Sequence, residues 1–146
     1  MNHLASRALI EGILNVDNST KAELGQKCAR HLGLNPGPLG GDGGIDGEGI
    51  YNGKRIYFQS KLLKKDINAS FSDCLYGIIT RHQSEIVIIL AGIGYSDGFK
   101  ARLQEFPDIK KFKIHLLTLS DYFNETEEFK AAVKDLPPLQ DLSFEA

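Results

Sequence analysis

Apolar residues recur with a helical period along most of the chain and run unbroken in two short places. Residues 2–14, NHLASRALIEGIL, carry Leu4, Ala8, Ile13 and Leu14 at spacings that predict a helix, which VDNS then breaks. Thr20-Lys21-Ala22-Glu23 has the form of a capping box, Leu24, Cys28 and Leu32 follow four apart, and Gly33 suits a C-terminal stop, so a second helix is predicted there. LNPGPLGGDGG, residues 34–44, is too rich in Pro and Gly to hold a long strand. Asp66 to His82 is amphipathic, with Ile67, Phe71, Cys74, Leu75, Ile78 and Ile79 on one face. EIVIILA (85–91) and FKIHLLTL (112–119) read as strands covered on both faces. Ser96 to Phe106 predicts a short helix, and Asn124-Glu125-Thr126-Glu127 offers the cap for a last one built on Phe129, Ala132, Val133 and Leu136. Strands interspersed with helices in this order imply an α/β sandwich around a mixed sheet, one domain over residues 1–136 with a Pro-Pro tail or linker start at 137–146.

The sharpest local cue is Asn52-Gly53 between GEGIY and KRIYFQSK, a two-residue hairpin loop flanked by strand formers. Its register pairs Tyr51 with Lys54 and, counting outward, 50 with 55, 48 with 57 and 46 with 59. Asp46 should then oppose Gln59, with Lys61 diagonal to it on the same face. Opposed Cβ atoms lie about 4.5–5.5 Å apart and the diagonal pair roughly 7–8 Å. A bulge in the Gly-rich arm would shift this alignment by one residue.

Composition narrows the field without choosing a function. With 146 residues the chain is long enough for one core. A net charge of −2 gives no overall attraction to nucleic acid, so a polyanion would have to meet local patches. Cys28 and Cys74 match no zinc or disulfide spacing and read as buried free thiols of a reducing compartment. No apolar run reaches the length of a membrane span and no signal pattern opens the chain, so a cytoplasmic protein is expected. The glycine run is not a P-loop, since no Gly-Lys-Ser/Thr follows, nor an EF-hand, since Gly53 stands where the closing Glu would be. His3, His31, His82 and His115 show no ligand spacing.

A carboxylate beside an amide carbonyl is a hard-oxygen set suited to Mg²⁺, and a neighbouring Lys can orient water or offset charge on phosphorus. Glycines at 40, 41, 43, 44, 47 and 49 would let a polyanionic backbone come close. Gly-Asp-Gly-Gly-Ile-Asp-Gly (41–47), the hairpin, and Phe58-Gln59-Ser60-Lys61 together resemble the Mrr-like branch of the PD-(D/E)xK nuclease superfamily, over roughly residues 20–120. The resemblance implies a restriction-endonuclease-like three-layer sandwich and a DNA endonuclease using Mg²⁺, with Mn²⁺ able to substitute, in a restriction or antiviral defence setting. It makes Asp46 and Gln59 metal ligands, Ser60 a ligand through its main-chain carbonyl, and Lys61 the catalytic lysine. It adds Glu23 as a further ligand and Asp42 in support. Lys64 and Lys65, with Gly43 and Gly44, would face the DNA, which is expected to be double-stranded. It also implies a strand between the second helix and the glycine motif, which LNPGPLGGD permits only if short. Cutting two strands would favour a homodimer, or a module of a larger protein.

Blander readings stand beside these. Glu23 serves equally as the N3 partner of Thr20, and Asp42 as a turn residue. Lys54-Arg55 and Lys110-Lys111 suit solvated faces, and Tyr57, Phe71 and Phe99 suit the core. Gln59 in place of Glu removes a negative charge, which keeps open a catalytically inactive DNA-binding or assembly module. An RNA-directed nuclease shares the chemistry.

Overall fold

The computed structural model describes residues 2–37 and 45–141. Helices α1 (His3–Leu14) and α2 (Asn18–His31) open the chain. Strands β1 (Asn35–Pro36), β2 (Gly47–Tyr51) and β3 (Lys54–Lys61) follow, then α3 (Ser70–His82), β4 (Ile86–Ala91), α4 (Asp97–Leu103), β5 (Lys113–Thr118), α5 (Leu119–Asn124) and α6 (Glu127–Val133). The five strands form one mixed sheet in the order β1-β2-β3-β4-β5. β1, β2 and β3 are antiparallel neighbours, while β3, β4 and β5 run parallel.

Two apolar layers hold the helices to the two faces. Ile56, Phe58, Ile86, Ile88 and Leu90 pack with residues of α2, α5 and α6 on one face. Tyr57, Val87 and Ile89 pack with α3 and α4 on the other. Both crossovers that join the parallel strands therefore lie on the α3–α4 face, as a constant crossover hand requires. The protein is an α/β fold with a five-stranded mixed sheet between two helical layers. β4 is buried along its whole length, as its unbroken apolar run predicts. β5 is not: it forms the sheet edge, and Ile114, His115 and Leu116 are only half-buried.

The hairpin forms in the predicted register, Tyr51 with Lys54 out to Gly47 with Phe58. Asn52 (φ 53°) and Gly53 (φ 75°) both take the left-handed conformation of a type I′ turn. Three local readings change. The second helix begins at Asn18 and is capped by Asp17, whose carboxylate accepts from the Thr20 N–H at 2.8 Å, so Thr20 and Glu23 form no capping box. Aspartate outbids Thr here by standing one turn earlier with the extended backbone a cap needs. The third helix starts at Ser70, because Ile67 is drawn into a bridge with Tyr95. Cys74 lies on the outer side of α3 and is exposed, whereas Cys28 is half-buried. The strand before the glycine motif is two residues long, β1. Pro137 and Pro138 lie against Gly33, and Gln140 donates its N–H to the His31 carbonyl at 2.8 Å, so the start of the tail is fastened to the end of α2.

Among the described residues no helix is long and apolar enough to cross a membrane.

Candidate active site

Asp46 stands immediately before the first paired residue of β2. Its N–H donates to the Phe58 carbonyl at 2.9 Å, although Phe58 is the ladder partner of Gly47. Two successive residues thus face one, which is the geometry of a β-bulge, and the bulge takes the carboxylate out of the alternation. Asp46 does not oppose Gln59 as the unbroken register predicts. Its Oδ2 instead accepts from the Ser60 N–H at 2.6 Å and from Ser60 Oγ at 3.0 Å. The carboxylate lies on the α2 side, where a Cβ on Gly25 would come within 3.3 Å of its Cγ.

Gln59 and Lys61 project from the other face of β3. Gln59 is buried, and its Oε1 accepts from the Tyr57 hydroxyl at 2.7 Å. The Lys61 ammonium sits 4.7 Å from the centroid of the Phe71 ring. Among the described residues no strand continues beside Gln59–Lys61 on the β2 side, since β2 begins only at Gly47. The two faces consequently open into one concavity of about 270 Å³, walled by Asp46, Gln59, Ser60 and Leu62 and, from α2, by Asn18 and Lys21. Asp46 and Gln59 are brought together there through the gap. Lys61 lies on its α3 side.

The remaining sequence-predicted residues fall as follows. Ser60 is at the centre, and its N–H and C=O both point toward the β2 side, where the N–H meets Asp46. Glu23 is exposed, about 200° around α2 from Lys21, and faces away from the concavity. Lys64 and Lys65 are exposed and follow directly on β3. Asp42, Gly43 and Gly44 lie outside the described residues. Gly37 and Asp46 are tied together, because Gly37 donates its N–H to the Asp46 carbonyl at 2.8 Å, and Gln26 donates its amide to the Gly37 carbonyl.

Burial holds the Asp46 carboxyl above the usual carboxylate range, opposed by the hydrogen bonds from Ser60. A half-buried acid in that state favours a positive partner. Burial and then the Asp46 charge push the Tyr57 phenol up as well, so Tyr57 remains a donor to Gln59. Tyr57→Phe is expected to leave the buried Gln59 oxygen without its donor. The cost is about 1–3 kcal/mol in urea unfolding, and the Gln59 amide should lose its fixed aim. An unchanged midpoint would show that Gln59 finds another donor.

The donor set fits a hard divalent cation. One carboxylate, one amide carbonyl whose second lone pair stays open, and one main-chain carbonyl are all oxygen ligands. Among the described residues no three His, Cys, Asp or Glu side chains cluster.

Sequence reasoning missed Asn18 and Lys21. Their signal is the small-residue series Ala22, Gly25 and Ala29, which marks the face of α2 lying closest to the sheet. Gly25 approaches Ser60 and Asp46, and Ala29 approaches Gly47. Asn18 and Lys21 continue that face by one turn. Two histidines make structural contacts: His82 bonds Glu48 at 2.9 Å and Ser84 at 2.7 Å, tying α3 to the hairpin, and His115 bonds Asp135 at 2.7 Å. A wider apolar recess of about 520 Å³ between α1, α2 and α5 contains Cys28, whose thiol burial pushes up to about 11, which leaves it a poor nucleophile at neutral pH.

Compared with protein-family models, curated proteins and solved structures, the chain matches none.

Proposed function

We propose that the protein is a Mg²⁺-dependent nuclease that hydrolyses phosphodiester bonds of double-stranded DNA, in the manner of the Mrr-like PD-(D/E)xK enzymes its motif resembles. The observation that carries this reading is the meeting of Asp46, Gln59 and Ser60 at one gap in the sheet, where β3 runs on beyond the end of β2. Asp46, Gln59 Oε1 and the Ser60 carbonyl would hold the ion. When bound, the ion supplies Lewis acidity and charge neutralisation at a phosphoryl oxygen.

The protein's own residues prepare the site. Ser60 orients the Asp46 carboxylate with two hydrogen bonds, and Tyr57 orients the Gln59 carbonyl. Lys61 leaves the Phe71 ring at a cost of only about 0.5–1 kcal/mol, the worth of a partly exposed cation–π contact. Its ammonium then offsets negative charge on the phosphate or holds the attacking water. Lys64 and Lys65 offer phosphate contacts further along the same chain segment. Cutting both strands calls for two such sites and so for a homodimer.

The test is conversion of supercoiled plasmid by the intact chain in Mg²⁺ or Mn²⁺, with EDTA as control. Nicked and linear products in metal and none in EDTA are the expected result. Plasmid left intact in both ions would reject the reading. Two observations favour a second reading, a silent nuclease fold that only binds DNA: Lys61 rests on Phe71, and Gln59 is already engaged by Tyr57. Calorimetric titration with Mn²⁺ separates the two, since the silent fold gives no site-specific heat.

A further inference from the structure

We infer that Lys21, on α2, is the side chain through which this site grips the substrate phosphodiester, by contacting a non-bridging oxygen. The inference rests on the nuclease reading and deepens it. Lys21 is half-buried and lines the same concavity as Asp46 and Gln59, from the wall opposite β3. It is the one lysine or arginine among the described residues that lines this concavity, and its ammonium forms no ion pair there. A long cation held at the wall of a polar recess without a protein counter-ion is placed to receive an external anion.

Charge gives the reason for one. A phosphodiester carries a negative charge into a concavity that already holds the Asp46 carboxylate, and like charges at such range repel. Lys61, the nearest alternative from β3, has its ammonium on the α3 side against Phe71. Lys21 supplies the compensating charge on the α2 side. Asn18, one turn earlier on the same wall, adds an amide donor for the second phosphate oxygen. The two lysines then divide the work: Lys21 holds the substrate, and Lys61 acts in turnover.

The experiment is fluorescence anisotropy of a labelled 20-base-pair duplex over a salt series, in the Asp46→Asn background so that nothing is cut. Lys21→Met, Lys21→Arg and Lys100→Met are compared with that parent, and circular dichroism confirms folding. Lys21→Met is expected to bind roughly tenfold more weakly at low salt, with the slope of log K against log salt shallower by about 0.9, the signature of one lost phosphate contact. Lys21→Arg should restore the slope, and Lys100→Met, at an exposed lysine of α4 remote from the concavity, should keep it. A parental slope in Lys21→Met overturns the inference. Plasmid cleavage by the otherwise native chain is scored alongside. Cleavage together with a parental Lys21→Met slope removes the Lys21 grip and leaves the nuclease. Failure to cleave together with a flattened slope does the reverse. A parent that binds no duplex overturns the grip on DNA.

Discussion

Asp46→Asn is expected to abolish divalent-dependent cleavage while raising the melting temperature at pH 7. The loss follows from removing the Asp46 charge, which would hold the ion. Lewis-acid stabilisation of several kcal/mol corresponds to a thousandfold in rate or more, on the order of what a plasmid assay detects easily. The gain follows from the same burial. Because the folded protein holds the Asp46 carboxyl above its unfolded value, the group favours folding fully only below the unfolded pKa, and that contribution is lost as pH rises through the folded pKa. At neutral pH the carboxylate therefore weighs against the fold. Asparagine keeps an oxygen to accept from Ser60 and carries no charge to desolvate. Melting curves of the two proteins should converge toward pH 3 and separate toward pH 7. A variant less stable than the native protein at pH 7 would show that the Ser60 hydrogen bonds outweigh desolvation.

Gly47→Ala is expected to destabilise the fold and disturb the site together. A Cβ at Gly47 would lie 2.6 Å from the Cβ of Ala29, and 3.5 Å from that of Leu34. Both Cβ atoms are bonded directly to backbone, so no side-chain rotation relieves the clash. Either α2 or the first residue of β2 must move. Overpacking of this kind costs about 1–3 kcal/mol. The shift also carries Asp46, the preceding residue, away from Ser60, so metal affinity should fall with stability. Gly77→Ala is the control. Nothing lies within 4 Å of a Cβ there, and alanine in a helix interior gains about 0.5–1 kcal/mol over glycine. Equal melting temperatures for the two variants would show that α2 yields freely.

Local chemistry made much of this fold legible. Asn52-Gly53 determines its own turn, and from it every pair out to Gly47 with Phe58 follows by counting. The apolar run of β4 needs no partner to be read. The counting failed at Asp46, because a bulge is set by what the chain must pack against. Gly47 approaches Ala29 on one side, Gly37 bonds the Asp46 carbonyl on the other, and neither contact lies within the hairpin. The helix start was misplaced for a related reason: Asp17 and Thr20 are both good caps, and only the backbone entering α2 chooses between them. The α5 helix was hidden in the tail of an apolar strand, where Thr118 turns the chain through a capping box with Asp121. Lys21 was invisible as chemistry because its meaning comes from the wall it shares with Asp46, on a segment 25 residues away.

The division of the sheet into an antiparallel and a parallel half bears on how the chain assembles. A two-residue turn lets β2 and β3 meet in microseconds, whereas β4 can pair only after α3 has closed one long loop, and β5 only after α4 has closed another. Ile86–Ala91, wholly apolar and lacking any charge, has to wait for neighbours on both sides. The ribbon that shapes the corner around Asp46 thus has a head start, while the segment most prone to stick to other molecules is among the last to be sheltered.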